Sequence, residues 1–176
     1  MPIESLDPQS ALIVIDLQKG ILSRPTAHPL ADVIAKSAGL AEAFRRRGLP
    51  VVLVNVASKR APSPDFSELV PELNRRDEDL LITKQTWGAF TNTGLADKLA
   101  EKGVTQLVIT GVATSIGVES TARQAHELGY KVVTVSDAMT DVSPEAHENS
   151  LTRIFPRLGQ VGTRQEIEAL LDSAAP

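Results

Sequence analysis

Two side chains at the ends of apolar runs, Asp16 and Lys84, put a carboxylate and an ammonium where a sheet delivers residues to a cleft. In partly dry surroundings such a pair stabilises each other's charge and can exchange a proton, which is what acid–base catalysis requires. A third feature is the segment Gly111 to Arg123, Gly-Val-Ala-Thr-Ser-Ile-Gly-Val-Glu-Ser-Thr-Ala-Arg. The apolar, β-branched run before it is broken by Gly111, and Thr114 or Ser115 can cap the helix that follows. The free N–H groups and positive dipole end of that helix could hold a carboxylate or a developing oxyanion, with Gly117 inside the first turn. An isolated Asp and Lys at strand ends make a structural salt bridge more often than a catalytic pair; the elbow between them shifts the balance toward chemistry.

Positioning these groups requires a parallel sheet. Short apolar runs at Ala11 to Ile15, Val51 to Val56, Leu80 to Ile82, Leu107 to Thr110 and Val132 to Val135, with a weaker sixth at Gln160 to Thr163, alternate with helical patterns. That alternation marks βαβ units, and runs apolar on both faces imply helices on both sides of the sheet. The expected fold is therefore α/β: a three-layer, Rossmann-like arrangement with a six-stranded parallel sheet. Leu30, Val33, Ile34, Leu40, Ala41 and Phe44 outline the first crossover helix, stopped at Gly48-Leu49-Pro50. Ser143-Pro144 and the capping box Thr163-Arg164-Gln165-Glu166 mark two later helix starts. Proline-rich Ala57 to Asp77 reads as a long irregular loop beside a site.

Ligands of such sheets bind beyond the carboxyl ends of the strands, near the reversal of strand order. Asp16 and Gln18 follow the first strand, Asn55 ends the second, Lys84 the third, Thr114 and Ser115 the fourth and Asp137 the fifth. A strand order of 3-2-1-4-5 brings Asp16, Lys84 and the elbow together.

This constellation resembles the isochorismatase-like hydrolase superfamily, which holds isochorismatases, nicotinamidases and amide hydrolases. The resemblance rests on Val14-Ile15-Asp16-Leu17-Gln18, on Thr83-Lys84 with Phe90 nearby, and above all on Gly111-Val112-Ala113-Thr114 leading into Val118-Glu119-Ser120-Thr121-Ala122-Arg123. Gly129-Tyr130-Lys131-Val132, Val135-Ser136-Asp137-Ala138 and His147, Ser150 and Leu151 extend it over nearly the whole chain. It implies homodimers or larger homo-oligomers. It also implies a non-proline cis peptide between Val112 and Ala113, which directs the Ala113 N–H into an oxyanion pocket beside that of Gly117. In the superfamily's amidases, residues matching Asp16 and Lys84 work with a cysteine at the position held here by Gly117. Without a side chain at that position the acyl-enzyme route is unavailable there. Isochorismatases also lack the nucleophile, and protonate a vinyl ether from the aspartate before water adds.

The resulting expectation is a metal-free, cofactor-free hydrolase, formed as one domain over residues 1–176 and acting in the cytoplasm on a small substrate. Asp16, Lys84 and Gly117 would form the catalytic site, with Gln18, Trp87, Phe90, Val112 and Ala113 binding substrate. A non-catalytic small-molecule binding or assembly protein that has lost the amidase nucleophile is the alternative. Ser115 and Ser120 could replace that nucleophile, but serines at helix starts are more often caps. Trp87 and Phe90 could equally pack in the core. Lys59 and Arg60 could bind a carboxylate, although solvated loop charges are the simpler reading. Arg45-Arg46-Arg47 reads as a solvated helix end, and His28, His126 and His147 show no metal-ligand spacing. With no cysteine in the chain, disulfides and thiolate ligands are excluded. A net charge of −4 gives no broad basic surface for nucleic acid or membrane, and no apolar segment is long enough to span a bilayer.

Overall fold

Leu12 and Val14 of the first strand face one way and Ala11, Ile13 and Ile15 the other, and all five are buried. That two-sided burial dictates a sheet covered on both faces. The computed structural model describes residues 3–173; Met1, Pro2 and residues 174–176, at the two ends of the expected 1–176 unit, lie outside them. The sheet contains β1 (Ser10–Ile15), β2 (Val51–Val56), β3 (Leu80–Lys84), β4 (Gln106–Val112), β5 (Lys131–Thr140) and β6 (Gly159–Gly162). Their order is β3-β2-β1-β4-β5-β6, and every pairing is parallel. The helices are α1 (Leu30–Arg46), α2 (Leu95–Glu101), α3 (Glu119–Glu127), α4 (Pro144–Asn149), α5 (Phe155–Leu158) and α6 (Arg164–Ser173).

Helices α1 and α6 bring Leu40, Phe44, Ile167 and Leu171 onto the face that carries Leu12 and Val14. Helices α2, α3 and α5 bring Leu95, Leu99, Ala122, Ala125 and Phe155 onto the face of Ile13 and Ile15. The strand order reverses between β1 and β4, which places the crevice beyond Ile15 and Gly111, partners in the ladder. At Gly111 the strands approach closely: φ is +115° and an added Cβ would lie 2.1 Å from the carbonyl oxygen of Ile15. Only glycine meets both conditions there.

Local signals are realised at both marked helix starts. The Ser143 hydroxyl accepts the Ala146 N–H at 3.1 Å. At α6 the Thr163 N–H donates to Glu166 Oε2 at 2.7 Å while the Glu166 N–H donates to Thr163 Oγ1 at 3.3 Å, a reciprocal capping box.

Strand β5 departs from the sequence reading. Between the pairs Ile109 with Thr134 and Gly111 with Met139, β4 advances two residues and β5 five. The strand therefore bulges over Val135 to Ala138 and continues to Thr140, so Asp137 does not end it. Asp137 instead accepts the Arg164 N–H at the start of α6, at 2.7 Å, and pairs with Lys36 at 3.2 Å.

The arginine run at the end of α1 also needs correction, because Arg45 is not solvated. Its side chain is 2% exposed and meets Asp79, 1% exposed, at 2.6 Å, with Glu42 and the Leu73 carbonyl beside it. Arg47 donates to the Leu171 carbonyl. Asp79 precedes β3 and is too far along the chain for helical spacing to reveal. Because removing one partner strands a buried charge, Asp79→Ala should lower the urea-unfolding free energy by about 3 kcal/mol. Exposed Asp172→Ala should change it by less than about 0.5 kcal/mol.

Candidate functional site

Asp16 follows β1 in the left-handed region, with φ at +52°, and its N–H donates to the Val54 carbonyl at 2.9 Å. An aspartate in that conformation is uncommon. Here it carries the carboxylate at the end of the central strand. Lys84, the last residue of β3, lies two strands away, yet its side chain crosses the end of β2. Its Nζ donates to Asp16 Oδ2 at 2.8 Å and to the Thr86 carbonyl at 3.1 Å, and it is only 2% exposed.

The second oxygen of that carboxylate has a different environment. Asp16 Oδ1 is buried and has no hydrogen-bond partner among the described residues. Burial lifts the Asp16 pKa from 3.8 to about 6, against the lowering effect of Lys84's charge and hydrogen bond. The carboxyl group therefore changes protonation state around pH 6, well above an ordinary aspartate.

The third side of the site is the elbow after β4. The Val112–Ala113 peptide is cis. A π-helical turn, Thr114–Val118, then leads into α3, and Thr121 Oγ1 ties that turn down by donating to the Gly117 carbonyl at 2.7 Å. A Cβ built on Gly117 would lie 3.1 Å from Ile15 Cγ2 and 3.3 Å from Asp16 Oδ2, so position 117 borders the carboxylate directly.

Neither Thr114 nor Ser115 caps this turn from its own side chain. The cap is Asp141, which follows β5: its Oδ2 accepts both the Ser115 N–H and the Ser115 hydroxyl at 2.8 Å, while Oδ1 accepts the Ser143 N–H at 3.2 Å. One N–H of this turn, that of Ser115, is thus taken by an internal carboxylate. Asp141 escaped the sequence reading because the β5 bulge moves the strand's true end five residues beyond Val135.

These elements enclose a cavity of ≈ 390 Å³. Asp16, Lys84, Trp87, Val112, Ala113 and Gly117 line it together. Gln18 and Phe90 do not. The Gln18 amide is fully buried, donating to the carbonyls of Val56 and Phe66 at 3.0 and 2.8 Å and accepting the Val56 N–H at 2.7 Å. It ties the 57–77 loop to β2, so Ala57, Ser58 and Phe66 of that loop wall the cavity. Phe90 stacks on Tyr130, ring centroids 5.9 Å apart. Ser115 has its hydroxyl committed to Asp141, and neither it nor Ser120 lines the cavity. Lys59 and Arg60 are likewise outside the lining, whereas Arg24, which sequence reasoning passed over, is in it.

Two of the histidines are neighbours. The rings of His28 and His147 are 4.6 Å apart, bonded respectively to Thr140 and Thr114. Burial, and secondarily His28, hold His147 below its usual pKa. Among the described residues no group of three or more His, Asp or Glu could hold a metal ion, and no helix is long and apolar enough to cross a membrane.

A model described as the Isochorismatase domain matches residues 10–166, so the chain belongs to the isochorismatase family of hydrolases. It is 42% identical to "Uncharacterized isochorismatase family protein YecD" of Escherichia coli O157:H7, over 90% of this chain and 94% of that one. The structure of an isochorismatase family protein from Burkholderia thailandensis superimposes with a TM-score of 0.90 at 44% identity, covering 96% of this chain and 98% of that one. The isochorismatase of Bacillus subtilis is 29% identical over 82% of this chain, which spans 53% of that longer protein.

Gln18→Ala should strand the buried Val56 N–H and cost about 2 kcal/mol. Limited proteolysis should then cut faster within residues 57–77, with the remaining fragments otherwise protected.

Proposed function

We propose that this protein hydrolyses a small substrate by acid–base catalysis at Asp16 and Lys84, with no nucleophile at position 117. The observation that carries this reading is the asymmetry of the Asp16 carboxyl: Oδ2 is held by Lys84, while Oδ1 is buried without a partner. With a pKa of about 6, this group holds a proton in about half of molecules at that pH and in about a tenth at pH 7. A proton on Oδ1 would have no competing acceptor in the protein.

The chemistry favoured is hydrolysis of a vinyl ether, the isochorismatase type of reaction. Asp16 transfers its proton to the terminal vinyl carbon, whose π electrons form the new C–H bond. The adjacent carbon then shares positive charge with the ether oxygen as an oxocarbenium ion. Water adds to that carbon and returns a proton to Asp16, and the hemiketal breaks its C–O bond to release a ketone and an alcohol. Lys84 stabilises the Asp16 carboxylate between the two transfers. The bare α-carbon of Gly117 leaves room for substrate or water beside the acid. Val112 and Ala113, which border the same space, would position the reacting end, and Trp87 would bind the body of the substrate.

Asp16→Asn should reduce kcat/KM toward a simple vinyl-ether acid with one carboxylate, such as a 2-alkoxyacrylate, by about a thousandfold, with an unchanged circular dichroism spectrum. The wild-type acid is protonated below its pKa, so kcat/KM should fall as pH rises through about 6. Lys84 pulls that pKa down, so Lys84→Met should move the falling limb to higher pH while lowering the plateau. Full activity in Asp16→Asn would end the proposal. Ligand-induced stabilisation without turnover by the wild type would favour a non-catalytic binding protein.

A further inference from the structure

Four charged residues line the cavity: Asp16, Arg24, Lys84 and Asp141. Three have their charge met inside the protein. Asp16 and Lys84 pair with each other, and Asp141 receives two N–H groups and a hydroxyl. Arg24 alone among them forms no hydrogen bond or ion pair with any described residue.

Arg24 is exposed, but the loop that carries it is pinned on both sides. Before it, the Gly20 N–H donates to the Phe66 carbonyl at 3.0 Å and the Leu22 N–H to the Gln18 carbonyl at 3.1 Å. After it, the Ala27 N–H donates to the Asp141 carbonyl at 2.7 Å and the His28 N–H to Thr140 Oγ1 at 3.1 Å. The guanidinium therefore starts from a fixed backbone at the cavity wall. The same cavity leaves apolar surface open to solvent: Trp87 is 67% exposed and Val142 54%. Ile21, Leu22, Phe66 and Ile116 continue the apolar lining.

A guanidinium without a partner next to apolar walls selects an amphipathic anion, because its fork matches a carboxylate and the walls take the rest. We infer that the substrate is a monocarboxylic acid with a flat or compact apolar body, anchored by Arg24 through its single carboxylate. The inference rests on the acid–base reading of the same cavity and adds its substrate class. A dicarboxylate would carry a second negative charge toward a cavity whose remaining cation, Lys84, is committed to Asp16.

Calorimetric titration with benzoate, its neutral analogue benzamide and the dicarboxylate phthalate tests this without turnover. Arg24→Gln should raise the benzoate Kd about tenfold and leave benzamide unchanged, with Arg24→Lys in between. Added salt should weaken benzoate binding to wild type more than to Arg24→Gln. Phthalate should bind wild type no more tightly than benzoate. The inference is overturned if Arg24→Gln leaves the benzoate Kd unchanged, if phthalate binds about tenfold tighter than benzoate, or if benzoate shows no saturable binding to wild type. Failure of the acid–base reading shows up separately, as turnover by Asp16→Asn in which benzoate binding persists.

Discussion

The contact between Lys84 and one oxygen of Asp16 is the constraint around which the site is organised. Removing two ions from water is unfavourable, and their attraction offsets that cost only with close geometry and a partner for each remaining proton and lone pair. The ammonium is satisfied by Asp16 and by the Thr86 carbonyl, but the carboxylate is satisfied on one side only. A pair serving stability alone would gain from a donor on Oδ1. The free oxygen leaves the carboxyl partly uncompensated, so burial raises its pKa while the neighbouring cation keeps it from rising further.

No single strand assembles that geometry. Asp16 comes from the central strand, Lys84 from an edge strand two positions away, and the elbow from the strand across the reversal in order. Each arrives by a separate local device. Asp16 adopts a left-handed backbone, Gly111 permits close approach to Ile15, and the bulge in β5 advances Asp141 far enough to clasp the turn after β4. Gln18 holds the long loop against β2, which ties down the cavity wall formed by Ala57, Ser58 and Phe66.

Much of this was legible in the chain. Apolar runs, weakest at the sixth, foretold the six parallel strands, although the edge strands β3 and β6 prove to be only partly buried, and capping chemistry marked the starts of α4 and α6, because both signals are local. Asp16, Lys84, Gly117, Val112, Ala113 and Trp87 were found from strand ends and motif resemblance, and they share one cavity. What escaped were features set by register or by distant packing. The extra residues in β5 concealed Asp141 and misassigned Asp137; the partner that buries Arg45 lies 34 positions later. Gln18 and Phe90 were placed near the right elements, but side-chain direction, which spacing does not encode, turned one toward a loop and the other toward Tyr130.

Gly117 lies outside the left-handed region, so no backbone requirement confines the position to glycine. The nearest obstacle to a larger residue is a methyl group of Ile15 at 3.1 Å, a contact that a few tenths of an ångström would relieve. In the genetic code some glycine codons, though not all, become cysteine codons by changing one base. Where position 117 is encoded by one of those codons, a single nucleotide change would set a thiol beside Asp16 while the scaffold stayed as it is.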